Sequence, residues 1–266
     1  MYKLVALDLD GTLLTSDNKI SDRTKQVIRH LASQGVIIAL ASGRTMSGIR
    51  GIIDELSLKR GVLYVIACNG AQVWCEASQR FIANQMLSSE DIRFIRQWGR
   101  LIGMACYAQH AGELVVECNR HIKINACYYS RLGIKVTTDD FLLNTSVPKL
   151  AFIDNKTSID YLTHNIPDKI IEMYQCVRSE PNYFELMSIG VNKGEACRIL
   201  AGYLGIVSDE ILAIGNEMND CEMLRYAGKG IAMDNADEVV KRCADDITAS
   251  NDEDGVAKAI IRFCLN

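Results

Sequence analysis

Proline is scarce in this chain, with three residues in 266, and no stretch is given over to one polar residue type or one sign of charge. With 48% hydrophobic residues, this excludes a disordered or fibrous protein and points to a well-packed globular one. Net charge is also scarce, at −4, which gives no electrostatic case for nucleic acid or for an anionic membrane surface. No apolar run approaches the ~20 residues of a membrane span. The ten cysteines show no C-x-x-C and no ligand spacing with histidine, so neither a zinc site nor a disulfide framework is expected. Cys68, Cys197, Cys221 and Cys264 lie in apolar or helical patterns and read as free thiols in a reducing cytoplasm. The first strand pattern begins at once, so no signal peptide is expected. A length of 266 residues allows one large domain or two modest ones.

The most informative stretch is the first fourteen residues. Lys3-Leu4-Val5-Ala6-Leu7 reads as a buried strand that runs into Asp8-Leu9-Asp10-Gly11-Thr12. A period of two puts Asp8 and Asp10 on one side of the strand's end. Two carboxylates so close repel, and such a pair persists where a cation sits between them or one stays protonated. Further along, Val36 to Leu40 is a second aliphatic strand followed by Ala41-Ser42-Gly43-Arg44, and Leu63 to Ala67 is a third followed by Asn69-Gly70. Helical patterns through Val27, Ile28 and Leu31, and through Ile49, Ile53 and Leu56, separate them. Strand–helix–strand alternation predicts a parallel sheet with right-handed crossovers, and ligands in such sheets bind outside the carboxyl ends of the strands.

The rhythm changes near residue 83. A capped helix at Ser88, strands at Met104–Tyr107 and Leu114–Cys118 around Gly112, a strand at Lys149–Ile153 and strands at Ile170–Val177 and Tyr183–Ser188 read as an α+β insertion over 83–187. Residues 120–145 are harder to read, with a helix and a loop expected. The alternating pattern resumes with the Lys193-Gly194-Glu195 helix, the Ile211–Ile214 strand and its exit Gly215-Asn216-Glu217-Met218-Asn219-Asp220. The expected fold is therefore α/β, a Rossmann-like parallel sheet core (1–82 and 188–266) with an inserted α+β cap domain (83–187).

Asp8-Leu9-Asp10-Gly11-Thr12 resembles the first motif of the haloacid dehalogenase-like hydrolases. The order Asp8/Asp10, Ser42, Lys193, then Gly215 to Asp220 is similar to that family's four motifs. The placement of the insertion, with Val191-Asn192-Lys193-Gly194 and Ile231 to Ala236, resembles its Cof-type group, subfamily IIB. The resemblance implies a Mg²⁺-dependent phosphatase of sugar phosphates or similar small phosphorylated metabolites. Asp8 would be the nucleophile and Asp10 the general acid/base.

The residue types suit that chemistry. Phosphoryl transfer needs a nucleophile, a proton shuttle, a divalent cation and fixed donors. Asp8 is a hard oxygen nucleophile, and Asp8, Asp10, Asn216 and Asp220 are the candidate metal residues. Leu9 (through its N–H), Ser42, Gly43, Lys193 and Asn219 are the candidate phosphate-binding residues. Asn69 is a candidate substrate residue, and Asp220 could instead hold Lys193. Taken singly, Ser42 reads as a turn residue, Lys193 as a solvated helix residue and Asn219-Asp220 as a helix cap. Their placement at successive strand ends points to one site. Asn216 stands where the family usually has an aspartate, which implies weaker metal binding. A phosphomutase or phosphotransferase, or a non-catalytic phospho-metabolite binder, is the alternative reading. No residue pattern fixes which cap side chains touch substrate.

Overall fold

The computed structural model describes residues 1–110, 113–116, 136–137 and 145–265. The chain opens with β1 (Leu4–Asp8), α1 (Asp22–Ser33), β2 (Ile37–Ala41), α2 (Met46–Leu56), β3 (Leu63–Ala67), β4 (Gln72–Cys75) and β5 (Arg80–Asn84). Next come α3 (Ser89–Leu101), β6 (Cys106–His110), β7 (Glu113–Val116), β8 (Val136–Thr137), β9 (Leu150–Ile153), α4 (Lys156–His164), α5 (Asp168–Met173), β10 (Tyr174–Glu180) and β11 (Tyr183–Ser188). The last part holds α6 (Lys193–Leu204), β12 (Ile211–Gly215), α7 (Cys221–Tyr226), β13 (Lys229–Ala232), α8 (Glu238–Lys241), β14 (Asp246–Ile247) and α9 (Gly255–Ile260). The chain forms two compact units, Met1–Asn84 with Asn192–Asn266, and Gln85–Val191.

The first unit is built on a sheet of order β14-β13-β12-β1-β2-β3-β4-β5. Its pairs are parallel from β14 to β3 and antiparallel through β4 and β5. β1 is wholly buried, as an unbroken aliphatic run in a central parallel strand should be. It pairs with β12 on one side (Leu7 opposite Ile214) and β2 on the other (Asp8 opposite Ala41). The chain leaves β1 toward β2, while β12 arrives from the other side. This reversal of strand order opens a crevice at the carboxyl end of β1. The helices cover the sheet with their apolar faces. α1 begins where the Ser21 side chain accepts the Thr24 N–H, and it buries Ile28 and Leu31. α6 begins at Asn192, whose side chain accepts the Glu195 N–H, and it ends at Gly205 in the left-handed region.

The second unit pairs its strands in the order β10-β11-β9-β6-β7-β8. Its core joins Ile92, Ile95 and Trp98 of α3 to Phe152, Phe184 and Leu186 of the strands. α3 starts with a full capping box between Ser88 and Asp91. One expectation is corrected here. Residues 170–173 belong to α5, and the strand begins only at Tyr174. Pro167 precedes the helix with φ of −63°, and Asp168 supplies a negative charge in its first turn. Ile170 is buried while Ile171 is half-exposed, so the apolar run has one buried face and is not a two-sided strand. The Gly112 turn and most of the 120–145 stretch lie outside the described residues. Among the described residues, the cysteines are free thiols and no helix is long and apolar enough to cross a membrane.

Phe152 is fully buried and meets Trp98 edge-on, with ring centroids 5.2 Å apart. Phe152→Ala should lower stability by about 3–5 kcal/mol. A shift of the urea midpoint to lower concentration, at unchanged ligand content, is the check.

Candidate active site

Asp8 is the last residue of β1 and lies buried at the crevice. Beyond it the chain turns tightly, with Leu13 N–H donating to the Asp8 carbonyl and Leu14 N–H to the Leu9 carbonyl. Gly11 makes this turn possible. Its φ is +74°, and a Cβ there would lie 2.5 Å from the Asn216 side chain. The Leu9 side chain is buried, and its N–H donates to the Asp8 carboxylate.

Lys193 is the first residue of α6 and is 1% exposed. Its ammonium donates to Asp8 Oδ1 at 2.7 Å and to Asp220 Oδ1 at 2.6 Å. Asp220 Oδ2 accepts the N–H groups of Asn216 and Glu217, both at 2.9 Å. Both oxygens of Asp220 are thus committed, one to Lys193 and one to the loop after β12. Burial disfavours the Lys193 charge, but Asp220 and Asp8 outweigh it and hold the ammonium well above its ordinary value. Asp8 goes the other way. Burial first, and then the Asp220 charge, push its carboxyl up to about 7 against the opposing pull of Lys193. One ammonium does not fully offset two buried carboxylates.

The remaining imbalance faces Asn216, which is buried on the other side of Asp8. One terminal atom of its amide lies 3.0 Å from Asp8 Oδ2, 2.9 Å from the Asp10 carbonyl oxygen and 2.8 Å from Thr12 Oγ1. With nitrogen at that position, the two amide N–H groups face these three acceptors. With oxygen there, it accepts from Thr12 and faces two other oxygens across a gap only a cation would stabilise. Three hard oxygens, from one carboxylate, one main-chain carbonyl and one amide, suit a Mg²⁺-like ion that keeps part of its water shell. Among the described residues no cluster of three or more His, Cys, Asp or Glu could hold a metal. Metal binding would therefore rest on this mixed oxygen set.

The Asp10 side chain turns away from that set and is half-exposed. Arg44 grips it with a two-pronged fork, Nε to Oδ2 at 2.9 Å and Nη2 to Oδ1. Ser42, at the exit of β2, is buried, and its Oγ accepts the Arg44 N–H at 3.0 Å. A Cβ on Gly43 would lie 3.0 Å from Asn69 Oδ1. Asn69 is buried at the exit of β3, and its Oδ1 accepts from Asn219 Nδ2 at 2.9 Å. Asn219 Oδ1 is buried with no partner among the described residues. Asp8, Lys193, Asp220, Asn216 and the Asp10 main chain thus form one cluster. Ser42, Gly43, Asn69 and Asn219 form an adjoining one. Sequence reasoning assigned nothing to Arg44 or Thr12. Thr12 stood inside the first motif without a role of its own, and the only signal for Arg44 was its place directly after Gly43 at a strand end.

A model of the haloacid dehalogenase-like hydrolase family matches residues 5–260. The chain is 32% identical over 269 residues to the Bacillus subtilis protein YxeH, covering 100% of this chain and 99% of that one. It is 29% identical to the 5-amino-6-(5-phospho-D-ribitylamino)uracil phosphatase YcsE of the same organism, over 99% of this chain and 96% of the other. A solved haloacid dehalogenase-like hydrolase from Bacteroides thetaiotaomicron superposes with a TM-score of 0.85 at 31% identity, covering 98% and 99% of the two chains. The buried aspartate at the end of β1, the buried lysine that pairs with it and the match along nearly the whole chain agree: the protein belongs to the haloacid dehalogenase-like hydrolases and is a phosphatase of that family.

Proposed function

We propose that the enzyme hydrolyses small phosphorylated metabolites, sugar phosphates foremost, through a phosphoryl group carried on Asp8. The observation that carries this is the buried Lys193 ammonium held between Asp8 and Asp220. It fixes a carboxylate oxygen at the mouth of the crevice and offsets negative charge where a phosphate would arrive. YcsE is named for a small phosphorylated ribityl compound, which supports the same substrate class here. The second unit, Gln85–Val191, takes the part of a cap that selects the substrate. The free thiols support a cytoplasmic setting.

Asp8 attacks phosphorus as the bond to the leaving oxygen breaks, giving an aspartyl-phosphate. Once released from Arg44 and protonated by solvent, Asp10 gives that proton to the leaving oxygen. It then takes a proton from the water that attacks phosphorus and frees Asp8. In the structure Arg44 holds both Asp10 oxygens, so this fork must open before Asp10 can carry the proton. Ser42, the Gly43 N–H and Asn219 supply donors to the phosphoryl oxygens, and the Leu9 N–H, which donates to the Asp8 carboxylate in the structure, would turn to them when phosphate arrives. Lys193 balances the charge of Asp8, and Asp220 holds Lys193 in place while bracing the loop that presents Asn216. Asp8, the Asp10 carbonyl and Asn216 would hold Mg²⁺, with Asp220 acting through Lys193 and the loop. When bound, that ion supplies positive charge that keeps Asp8 ionised and offsets the phosphate.

The direct test is hydrolysis of an aryl phosphate across a Mg²⁺ titration. Asp8→Asn should lower kcat by about a thousandfold or more, and an active variant would contradict the nucleophile assignment. Asn216→Asp adds a charge to the oxygen set. It should lower the Mg²⁺ half-saturation about tenfold, read both in hydrolysis and by calorimetric Mg²⁺ titration. An unchanged requirement would count against Asn216 as a ligand.

The raised Asp8 carboxyl also has a stability signature. Its folded-state value lies above its unfolded one, so the folded protein binds that proton more tightly, and this stabilisation is lost as pH rises from about 4 through about 7. With divalent ions chelated, Asp8→Asn should therefore melt about 5 °C or more above the wild type at pH 8 and differ little at pH 4. Equal melting temperatures at pH 8 would show that the buried charge is not the cost proposed here.

A further inference from the structure

The exit of β3 carries a backbone that no catalytic role explains. Cys68 and Asn69 both have positive φ, 53° and 56°, and Gly70 follows at 105°. Two successive non-glycine residues in the left-handed region are unfavourable unless surrounding contacts fix them. Here the contacts reach all the other segments of the phosphate side. Cys68 N–H donates to the Arg44 carbonyl at 2.8 Å, and Asn69 N–H to the Ser42 carbonyl at 3.0 Å. Gly70 lies so close to Asn192, the residue that caps the helix of Lys193, that a Cβ would stand 2.3 Å from the Asn192 carbonyl oxygen. The Asn69 side chain packs behind Gly43 and accepts from Asn219. Asn69 is 1% exposed, so it is set inside the wall and not on its open face.

We propose that Asn69 is a positioning residue, whose carboxamide sets Asn219 and the Gly43 backbone at the spacing a phosphoryl group requires. An amide nitrogen has two N–H groups. Binding one of them to Asn69 fixes the plane of the Asn219 amide and therefore the direction of the other. The left-handed backbone is what lets one residue reach both loops, because its N–H is tied to Ser42 while its side chain crosses to the loop after β12. Sequence separation hides the link, since Asn69 and Asn219 are 150 residues apart. This assignment rests on the phosphate-site reading given above.

Asn69→Gly is the discriminating variant. Glycine adopts the left-handed conformation freely, so it keeps the loop path and deletes only the carboxamide. It should raise both KM for an aryl phosphate and the inhibition constant of inorganic phosphate about tenfold, with kcat reduced less and no loss of melting temperature. Asn219→Ala should give the same rise, and the double variant should add little to either. Wild-type phosphate affinity in Asn69→Gly, or fully additive effects in the double variant, would overturn the assignment. A wild type that hydrolyses aryl phosphate normally yet is indifferent to both substitutions would overturn it while leaving the phosphatase reading standing. A wild type that neither turns over aryl phosphate nor binds inorganic phosphate would overturn both.

Discussion

A lysine ammonium buried between two carboxylates is the constraint on which the site depends. Lys193 is almost fully buried and touches Asp8 and Asp220 at 2.7 and 2.6 Å. Removing the ammonium would leave two carboxylates uncompensated in low dielectric, at a cost of about 3–5 kcal/mol. The cluster also ties three distant parts of the chain together: the end of β1, the first residue of α6 and the loop after β12. The parallel sheet places β1 beside β12, the Asn192 cap starts α6 at Lys193, and Asp220 closes the triangle by also holding two loop amides. Folding and chemistry share these contacts.

The charge left over after that pairing explains the rest of the arrangement. Asp8 sits among more negative charge than Lys193 alone neutralises, and its carboxyl rises accordingly. The Asn216 amide faces that excess. Its nitrogen can donate to Asp8 and the Asp10 carbonyl, or its oxygen can join them around a cation. An aspartate at this position would have no donor to offer without the cation. The asparagine thus gives the cluster a hydrogen-bonded arrangement of its own, which a bound cation would have to displace.

Much of this was legible in the residues. The aliphatic runs Leu4–Leu7 and Ile211–Ile214 are buried parallel strands, and the polar residues that follow each stand together at the same sheet edge. Local chemistry also marked the helix start at Ser88. What could not be read were side-chain pairings across long separations. The Arg44 fork on Asp10 spans 34 residues, and the Asn69 contact with Asn219 spans 150. No local propensity encodes either. The Ile170–Met173 run misled because apolar content alone does not separate a short helix from a strand, and the signal lay in Pro167-Asp168 ahead of it.

If Asp8 is the nucleophile, phosphorus becomes bonded to it during turnover. The most direct measurement uses Asp10→Asn, in which release of the phosphoryl group should be slowed more than its capture. The variant would be mixed with an aryl phosphate, quenched in acid within the first turnover, digested and weighed by mass spectrometry. The expected result is the added mass of one phosphoryl group on the peptide containing Asp8, and none in the Asp8→Asn/Asp10→Asn double variant. Release of the aryl product with no phosphoryl group on that peptide at any quench time would contradict it, and would mean that water attacks the substrate directly.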